Sequence, residues 1–348
     1  MKPHRKTSAV PRRAFVRQGV SAACAVAAVG GMAVLLRESH RASEASIVDA
    51  GHRSFEYSTA HLESIDPALI RFAEQSVFQC PRKDPKCIAL GPDDRLRVAA
   101  GKYVSLLNST GAVESEIALS EPARSLAVGS DERVYVGLRQ RVEVFDSNGR
   151  RRFVYEPPGA RVWLTGIAVG SDSVFVADAG NRVVLRYDLG GELIGRIGDK
   201  DPARSIAGFV IPSPHFAIAM HPDGTLLAAN PGRHRVECYT PNGELRLFWG
   251  RASADIDGFC GCCNPVSLAS LLDGRCVTAE KGICRVKVYS EDGRFESVVA
   301  GPESFADLDG ESGSSETERA PCVAVDSGGR VLILDAAGSK IRIFREMA

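Results

Sequence analysis

The sequence predicts an all-β fold, a six-bladed β-propeller whose blades are four-stranded antiparallel sheets. An apolar triplet recurs six times along the chain, at spacings of 38, 41, 51, 50 and 55 residues. Turns rich in Asp, Asn and Gly and further β-rich segments follow, so that most units have room for four short strands. A period of about 40–50 residues with four strands is typical of a propeller, in which neighbouring blades cover each other's faces. The triplets start at Ile88, Leu126, Ile167, Ile218, Leu268 and Val323.

Within each unit the triplet is assigned to the innermost strand and the later strands follow in order. In the third unit a second strand is expected over 174–176 and an alternating third strand over 183–187. The last unit, from Val323 to Arg345, has room for only three strands. We therefore expect residues near 69–79 to supply its fourth strand and close the ring.

Residues 1–45 look like an export segment rather than part of the fold. Arg12 and Arg13 form a twin-arginine pattern ahead of an uncharged run from Gly19 to Leu36. This arrangement resembles a bacterial twin-arginine export signal. An ordinary secretory signal is one alternative. An uncleaved membrane anchor is another, because a helix over this run, at about 1.5 Å per residue, would be just long enough to span a bilayer core. The sequence thus predicts a periplasmic or otherwise extracytoplasmic protein.

The predicted organisation is a signal or anchor over 1–45, a lead-in over 46–68 and the propeller over 69–348. The first 45 residues hold eight of the 43 basic residues and two of the 43 acidic residues, so the remainder has a net charge of about −6. A mildly acidic domain is not an obvious nucleic-acid binder, and we expect no nucleic-acid partner.

The loops between the predicted second and third strands carry a recurring signature: an acid or amide, a short loop, Asn or His, then Arg and Val. It reads Asp-Ala-Gly-Asn-Arg-Val at 178–183 and Asn-Pro-Gly-Arg-His-Arg-Val at 230–236, with a degenerate copy at 280–286. Over about residues 70–346 the chain is similar to NHL-type repeat proteins, a family related to WD40 and kelch propellers. The resemblance implies the fold but no single activity, because such proteins include protein-, RNA- and ligand-binding modules and a few lyases. The first two units depart from the signature, since they lack the acid.

Nine cysteines lie beyond the export segment. Outside the cytosol cysteines tend to form disulfides, but an odd number leaves at least one free, intermolecular or bound to a metal. Aligning the six units places several cysteines before the innermost strands or between second and third strands. In a propeller these loops open on one face, around the mouth of the central channel. The cysteines placed there are Cys87, Cys260, Cys262, Cys263, Cys284 and Cys322.

Three uses of these thiols are open. Disulfides could join the 260–263 turn to a blade or fix the ring closure, and such crosslinks stabilise a fold by roughly 2–4 kcal/mol. Three or four thiolates could instead hold a soft metal or an iron–sulfur cluster, although the spacing matches no zinc ribbon. A reactive or redox-active thiol is the third use. Adjacent Cys262 and Cys263 are not expected to pair readily with each other, because a bond between them would strain the intervening peptide.

Five polar residues are predicted near the same mouth. His215 lies in the loop that leads into the fourth innermost strand, and the other four occupy matching positions at the ends of second strands. Such residues hold Ca²⁺ or Zn²⁺ in some propeller hydrolases and lyases. The alternative is that they cap turns and accept backbone hydrogen bonds. The four matching residues are Asp178, Asn230, Glu280 and Asp335.

The chain has no phosphate-binding Gly-rich loop of the usual spacing, no Gly-x-Ser-x-Gly and no His-Glu-x-x-His. We therefore expect an exported binding or scaffold module that takes a protein partner or a small ligand on the channel-mouth face. Two alternatives are kept: a redox accessory protein that carries a metal or an iron–sulfur cluster, and a propeller lyase or hydrolase that depends on a divalent ion.

Overall fold

The computed structural model describes residues 64–202, 207–309 and 320–348. The predicted export segment with Arg12 and Arg13, and the lead-in before residue 64, lie outside these ranges. Within them, no helix is long and apolar enough to cross a membrane. Asp66 caps a short 3-10 helix by accepting a hydrogen bond from the Ala68 N–H at 2.9 Å. The 3-10 helices of the described residues are Pro67–Leu69, Pro231–Arg233 and Pro302–Asp309.

The described residues form six four-stranded antiparallel sheets, which are the blades. The first strand of the chain, β1 (Phe72–Gln79), belongs to the last blade. Blade 1 comprises β2 (Pro85–Leu90), β3 (Leu96–Ala100), β4 (Tyr103–Leu107) and β5 (Val113–Ala118). Blade 2 comprises β6 (Ser125–Val128), β7 (Val134–Gly137), β8 (Val142–Phe145) and β9 (Arg151–Tyr155). Blade 3 comprises β10 (Leu164–Val169), β11 (Ser173–Asp178), β12 (Val183–Asp188) and β13 (Leu193–Ile197).

The second half of the ring repeats this order. Blade 4 comprises β14 (Ile218–Met220), β15 (Leu226–Asn230), β16 (Arg235–Tyr239) and β17 (Leu245–Trp249). Blade 5 comprises β18 (Ser267–Ser270), β19 (Cys276–Glu280), β20 (Arg285–Tyr289) and β21 (Phe295–Ala300). Blade 6 comprises β22 (Cys322–Val325), β23 (Val331–Asp335), β24 (Lys340–Glu346) and β1.

The innermost strands form a closed ring around a central channel. Each of them contains the apolar triplet that predicted it, and each contacts the innermost strand of the next blade. β22 of blade 6 contacts β2 of blade 1, which completes the circle. The prediction of a six-bladed propeller with four-stranded antiparallel blades is therefore confirmed.

The ring is closed by the N-terminal strand, as the sequence predicts. β1 pairs antiparallel with β24, from Phe72 opposite Glu346 to Gln79 opposite Lys340. Phe72 is buried in the core that blades 5 and 6 share. The first and last strands of the propeller are thus hydrogen-bonded to each other within one blade, which leaves neither as an open edge toward the other.

Burial is greatest in the second strand of a blade. Every residue of β11, β15, β19 and β23 is buried, because each strand has a neighbour on both sides and an adjacent blade over its face. Most of β5 and β17, in contrast, is exposed. Apolar side chains of neighbouring blades share one core, such as Val286 of blade 5 and Ile333 of blade 6. Burying one such side chain stabilises the fold by roughly 1.5–3 kcal/mol.

Aromatic packing between blades 4 and 5 requires glycine in one turn. The rings of Trp249 and Tyr289 lie 4.5 Å apart, centroid to centroid. The turn from β20 to β21 passes over the indole, and a Cβ atom on Gly293 would lie 2.1 Å from Trp249 Cγ. Gly293 also has a φ of +83°, a conformation that residues with a side chain rarely adopt.

Candidate functional site

The central channel contains a cavity of about 540 Å³, bounded by the innermost strands and the loops that lead into them. Several large polar side chains come from the first residues of these strands or from the residues just before them. Lys86, Arg124, Trp163 and His215 all line the cavity and come from four different blades. None of the described residues that line it is an Asp or a Glu. The cavity therefore combines positive charge with the absence of a lining carboxylate.

Arg124 and Arg139 both lie against the ring of Trp163. The guanidinium carbons are 4.7 Å and 4.4 Å from the ring centroid, respectively. Burial, and then the neighbouring charge of Arg139, lower the pKa of Arg124. Glu121, the acid that opposes this shift, forms an ion pair with Arg141 at 2.9 Å. Two guanidinium groups thus share one aromatic ring, and no described carboxylate lies within ion-pair distance of Arg124.

His215 lies in the loop that leads into β14, held by the buried Phe216, whose ring packs on Phe209 at 4.6 Å. Burial, and then the positive charges of Lys281 and Lys86, lower the pKa of His215 to about 3. The imidazole is therefore neutral at ordinary pH. Its Nε2 atom is buried and makes no hydrogen bond to a described residue. The ring can therefore offer a hydrogen bond to a group that enters the channel.

The matching polar residues at the ends of second strands are buried and bonded to nearby loops. Asp178 Oδ1 accepts hydrogen bonds from the Trp163 and Gly180 N–H groups, each at 3.0 Å. Asn230 Oδ1 accepts from the Val210 N–H at 2.9 Å, and Asp335 Oδ1 accepts from the Gly338 N–H at 2.9 Å. These contacts are those of residues that position loops.

Glu280 completes this set and forms part of a buried ion-pair cluster. Its Oε1 atom is 2.6 Å from Lys287 Nζ, and its Oε2 atom is 2.9 Å from Arg285 Nη2. Burial lowers the pKa of Lys287 to about 8, although the charge of Glu280 opposes that shift. Of the five predicted mouth residues, His215 lines the cavity. The described lining does not include Asp178, Asn230, Glu280 or Asp335.

The 260–263 turn is fixed by hydrogen bonds from blade 5. The Cys260 N–H donates to Glu280 Oε2 at 2.9 Å. The Asn264 amide donates to the carbonyls of Cys260 and Lys281 at 2.6 Å and 2.9 Å, and its oxygen accepts from the Lys281 N–H at 2.9 Å. The turn is therefore held against the loop that joins β19 to β20.

Cys262 and Cys263 have their sulfur atoms 3.1 Å apart. Side chains of consecutive residues in a strand point to opposite faces, but here the chain bends, and Gly261 has a φ of +77°. Cys262 is exposed, whereas Cys263 is buried. Burial raises the pKa of the Cys263 thiol, with Ser213 next to it opposing the shift. The bend thus brings the two sulfur atoms into contact, while a bond between them would still close a small ring that includes the intervening peptide.

The other predicted cysteines do not form one cluster with this pair. Cys87 and Cys322 line the cavity on neighbouring innermost strands, and burial, then the charge of Cys322, raise the pKa of Cys87. Cys284 is packed in the core between blades 5 and 6, where burial and then Asp335 raise its pKa. All nine cysteines of the described ranges are free thiols. No group of three or more His, Cys, Asp or Glu in those ranges is arranged to hold a metal ion.

The basic and aromatic residues of the mouth are not among those that the sequence predicted. Lys86 and Arg124 each stand two residues before an apolar triplet, the position that the alignment of units already marks as the mouth. Trp163 stands four residues before its triplet and belongs to no motif. A search of these aligned positions for charge, rather than for cysteine alone, would have found the two basic residues.

No protein-family model matches the chain, and no curated protein matches it. Solved structures of lyases share its fold. A streptogramin B lyase structure has a TM-score of 0.55 at 13% identity, covering 81% of this chain and 100% of that one. Selenomethionine-substituted virginiamycin B lyase from Staphylococcus aureus has a TM-score of 0.53 at 14% identity, covering 79% and 100%.

A third structure is a catalytically inactive histidine-to-alanine variant of virginiamycin B lyase from Staphylococcus aureus with quinupristin. It has a TM-score of 0.53 at 14% identity, covering 77% of this chain and 82% of that one. At these identities the likeness shows the propeller fold alone.

Proposed function

We propose that this protein is an exported binding propeller whose channel mouth takes a small anionic ligand with a flat apolar part. The observation that carries the proposal is the composition of the cavity, where Lys86, Arg124 and neutral His215 surround one end and no described lining residue is acidic. Arg124 is half-buried and has no described carboxylate within ion-pair distance, and a guanidinium in that position is stabilised when an anion enters.

The indole ring of Trp163 suggests the flat apolar part of the ligand. Trp163 lines the cavity beside Arg124, so an anion bound by the guanidinium lies within reach of the indole. Flat apolar groups pack well on such rings, and arginine binds carboxylate or phosphate in a planar, two-point manner. A concave cavity of about 540 Å³ is of the size usual for small-molecule sites, which favours a small ligand over a protein partner.

The location of the protein is a further part of the proposal. Arg12 and Arg13 ahead of the apolar run support export through a twin-arginine route, to the periplasm or another extracytoplasmic site, with a membrane anchor as the alternative. The resemblance to NHL-type repeat proteins remains a prediction, and it is consistent with a binding module.

Calorimetric titration with matched probes tests the ligand class. Phenyl phosphate, benzoate, benzyl alcohol and benzylamine share a ring and differ in charge. We expect the two anions to bind, the alcohol to bind at least about tenfold more weakly, and the amine to show no binding, since one hydrogen bond to a charged group contributes roughly 1.5–3 kcal/mol. Equal affinity for benzylamine, or no binding of either anion, would refute the proposal.

A lyase is the second candidate, favoured by one observation. His215 is neutral, and its Nε2 atom is buried at the channel mouth with no described partner, so it could take or give a proton there. A histidine-to-alanine variant is also the inactive form of one lyase of similar fold. The carboxylates predicted to hold a divalent ion are bonded to loops and side chains, so this candidate rests on His215 alone.

Incubation with quinupristin, followed by chromatography, tests the lyase candidate. Conversion by the unaltered protein and its loss in His215→Gln would support a lyase, provided that the variant still binds phenyl phosphate. If the unaltered protein converts nothing, or the variant converts as fast, His215 is not a catalytic residue for this substrate.

A further inference from the structure

Two adjacent thiols in the turn before blade 5, one exposed and one buried, are in contact. The Sγ atoms of Cys262 and Cys263 lie 3.1 Å apart, and Cys262 is the one cysteine of the described ranges that is exposed. Other close cysteines, such as Cys238 and Cys276, lie in a buried cluster. The pair therefore combines an exposed thiol with a second sulfur in contact with it, whereas Cys322, which neighbours Cys87 in the channel, is only partly exposed.

The turn that carries the pair is fixed before any reaction. The amide of Asn264 and the carboxylate of Glu280 hold the backbone of Cys260, and a ring nitrogen of His234 is hydrogen-bonded to the Gly261 carbonyl. Gly261 supplies the left-handed backbone that bends the chain ahead of the two thiols. These contacts hold the two sulfur atoms close together in the reduced protein.

We propose that Cys262 and Cys263 form a reversible dithiol–disulfide site, oxidised by exchange with an external disulfide. This inference does not depend on the ligand of the channel. The co-reactant is a small-molecule disulfide or the disulfide of an oxidoreductase, and a dithiol reductant reverses the reaction.

The exchange has two balanced steps. Cys262 loses its proton to solvent, its thiolate attacks one sulfur of the external disulfide, and the other external sulfur leaves as a thiolate. Cys263 then loses its proton, attacks Cys262 Sγ and displaces the second external thiolate. Two protein thiols are oxidised, the external disulfide is reduced to two thiols, and the released protons return to them.

The exposure of Cys262 favours reaction at this pair over reaction at the other cysteines. Disulfide exchange requires approach of the external disulfide to a thiolate, and thiols buried in apolar surroundings are slow. Burial raises the pKa of Cys87, Cys238, Cys276 and Cys284, which further disfavours their thiolates. We expect Cys262 to react at least about tenfold faster than these buried thiols in the folded protein.

One experiment uses the full, reduced and folded chain with an equimolar amount of an aromatic disulfide whose released thiol is coloured. The unaltered protein should release two equivalents of coloured thiol and retain no adduct. The mass of the tryptic peptide 252–275 should be lower by two hydrogens, and treatment with a dithiol reductant should restore it. A stable mixed disulfide, or first oxidation at another pair, would overturn the proposal.

Variants identify which sulfurs react. Cys263→Ser should release one equivalent and keep one adduct on Cys262, because the second thiol is missing. Cys260→Ser is the matched control, since it alters the same turn and should behave as the unaltered protein does. If Cys260→Ser also stops at the adduct, the disulfide involves Cys260 and the assignment to Cys262 and Cys263 is wrong. Circular dichroism confirms that each variant is folded.

Discussion

The backbone N–H of Trp163 donates a hydrogen bond to the Asp178 carboxylate at 3.0 Å. Asp178 ends the second strand of blade 3, and Trp163 stands at the mouth of the channel beside Arg124. The carboxylate also accepts from the Gly180 N–H, so it fixes the signature loop and the aromatic residue together. Asp178, which the sequence predicted at the mouth, thus bonds to the backbone of a residue that lines the channel and is not itself part of the described lining.

Asp178→Ala should destabilise the protein by about 3 kcal/mol, because it leaves buried backbone N–H groups without acceptors. It should also weaken binding of an anionic probe, since Trp163 loses its anchor. Urea unfolding measures the first effect and calorimetry the second. Asp172→Ala is the control: that side chain is 74% exposed and 3.7 Å from Arg186, so its loss should cost less than about 1 kcal/mol. Equal losses in the two variants would contradict this role for Asp178.

His215 should make stability fall as the solution is acidified. Its pKa is about 3 in the folded protein against about 6.5 in an unfolded chain, so between these values the unfolded state binds a proton that the folded state does not. The contribution is complete above pH 6.5 and is lost as pH falls toward 3. By pH 4 we expect a loss of about 3 kcal/mol relative to pH 7.

His215→Gln should lack that part of the pH dependence. Urea unfolding of both proteins at pH 7 and pH 4 gives the comparison, and the drop between the two pH values should be smaller in the variant by about 3 kcal/mol. Identical drops would mean that His215 has the same pKa in the folded and the unfolded protein.

Gly293→Ala should be much more damaging than an alanine at a similar turn elsewhere. A Cβ at residue 293 would lie 2.1 Å from Trp249 Cγ, in addition to requiring a φ of +83°. Gly224 has a φ of +84° with nothing within 4 Å of the added Cβ, so Gly224→Ala reports the backbone cost alone, about 1–2 kcal/mol. Urea unfolding should show a further loss of at least about 2 kcal/mol in Gly293→Ala. Equal losses of stability in the two variants would mean that the turn can move away from the indole at no cost.

Phe72→Ala tests the ring closure. Phe72 is 3% exposed in the core between blades 5 and 6, and its truncation should cost about 3–5 kcal/mol. Val77, on the same strand, is 41% exposed, so Val77→Ala should cost less than about 1 kcal/mol. A small effect of Phe72→Ala on thermal unfolding would indicate that the N-terminal strand adds little to the propeller.

Periodic features of the sequence predicted the fold well, and isolated residues predicted the site poorly. The triplets at Ile88 and Val323 repeat one local pattern, and local patterning is what sets a strand and its place in a blade. Arg124 and Trp163 meet only because successive blades bring their loops to one face. The contact between Cys262 and Cys263 depends on the bend after Gly261, which spacing does not encode.

Trp163 offers a direct probe of the charge at the channel mouth. The chain has two tryptophans, so Trp249→Phe leaves Trp163 as the one tryptophan signal. Phenyl phosphate should quench this signal to saturation. Adding Arg124→Gln should raise the Kd at least about tenfold, while adding Arg133→Gln, an arginine against Phe153 in blade 2, should leave it unchanged. The absence of saturable quenching, or equal Kd values in all three proteins, would contradict an anion-binding channel mouth.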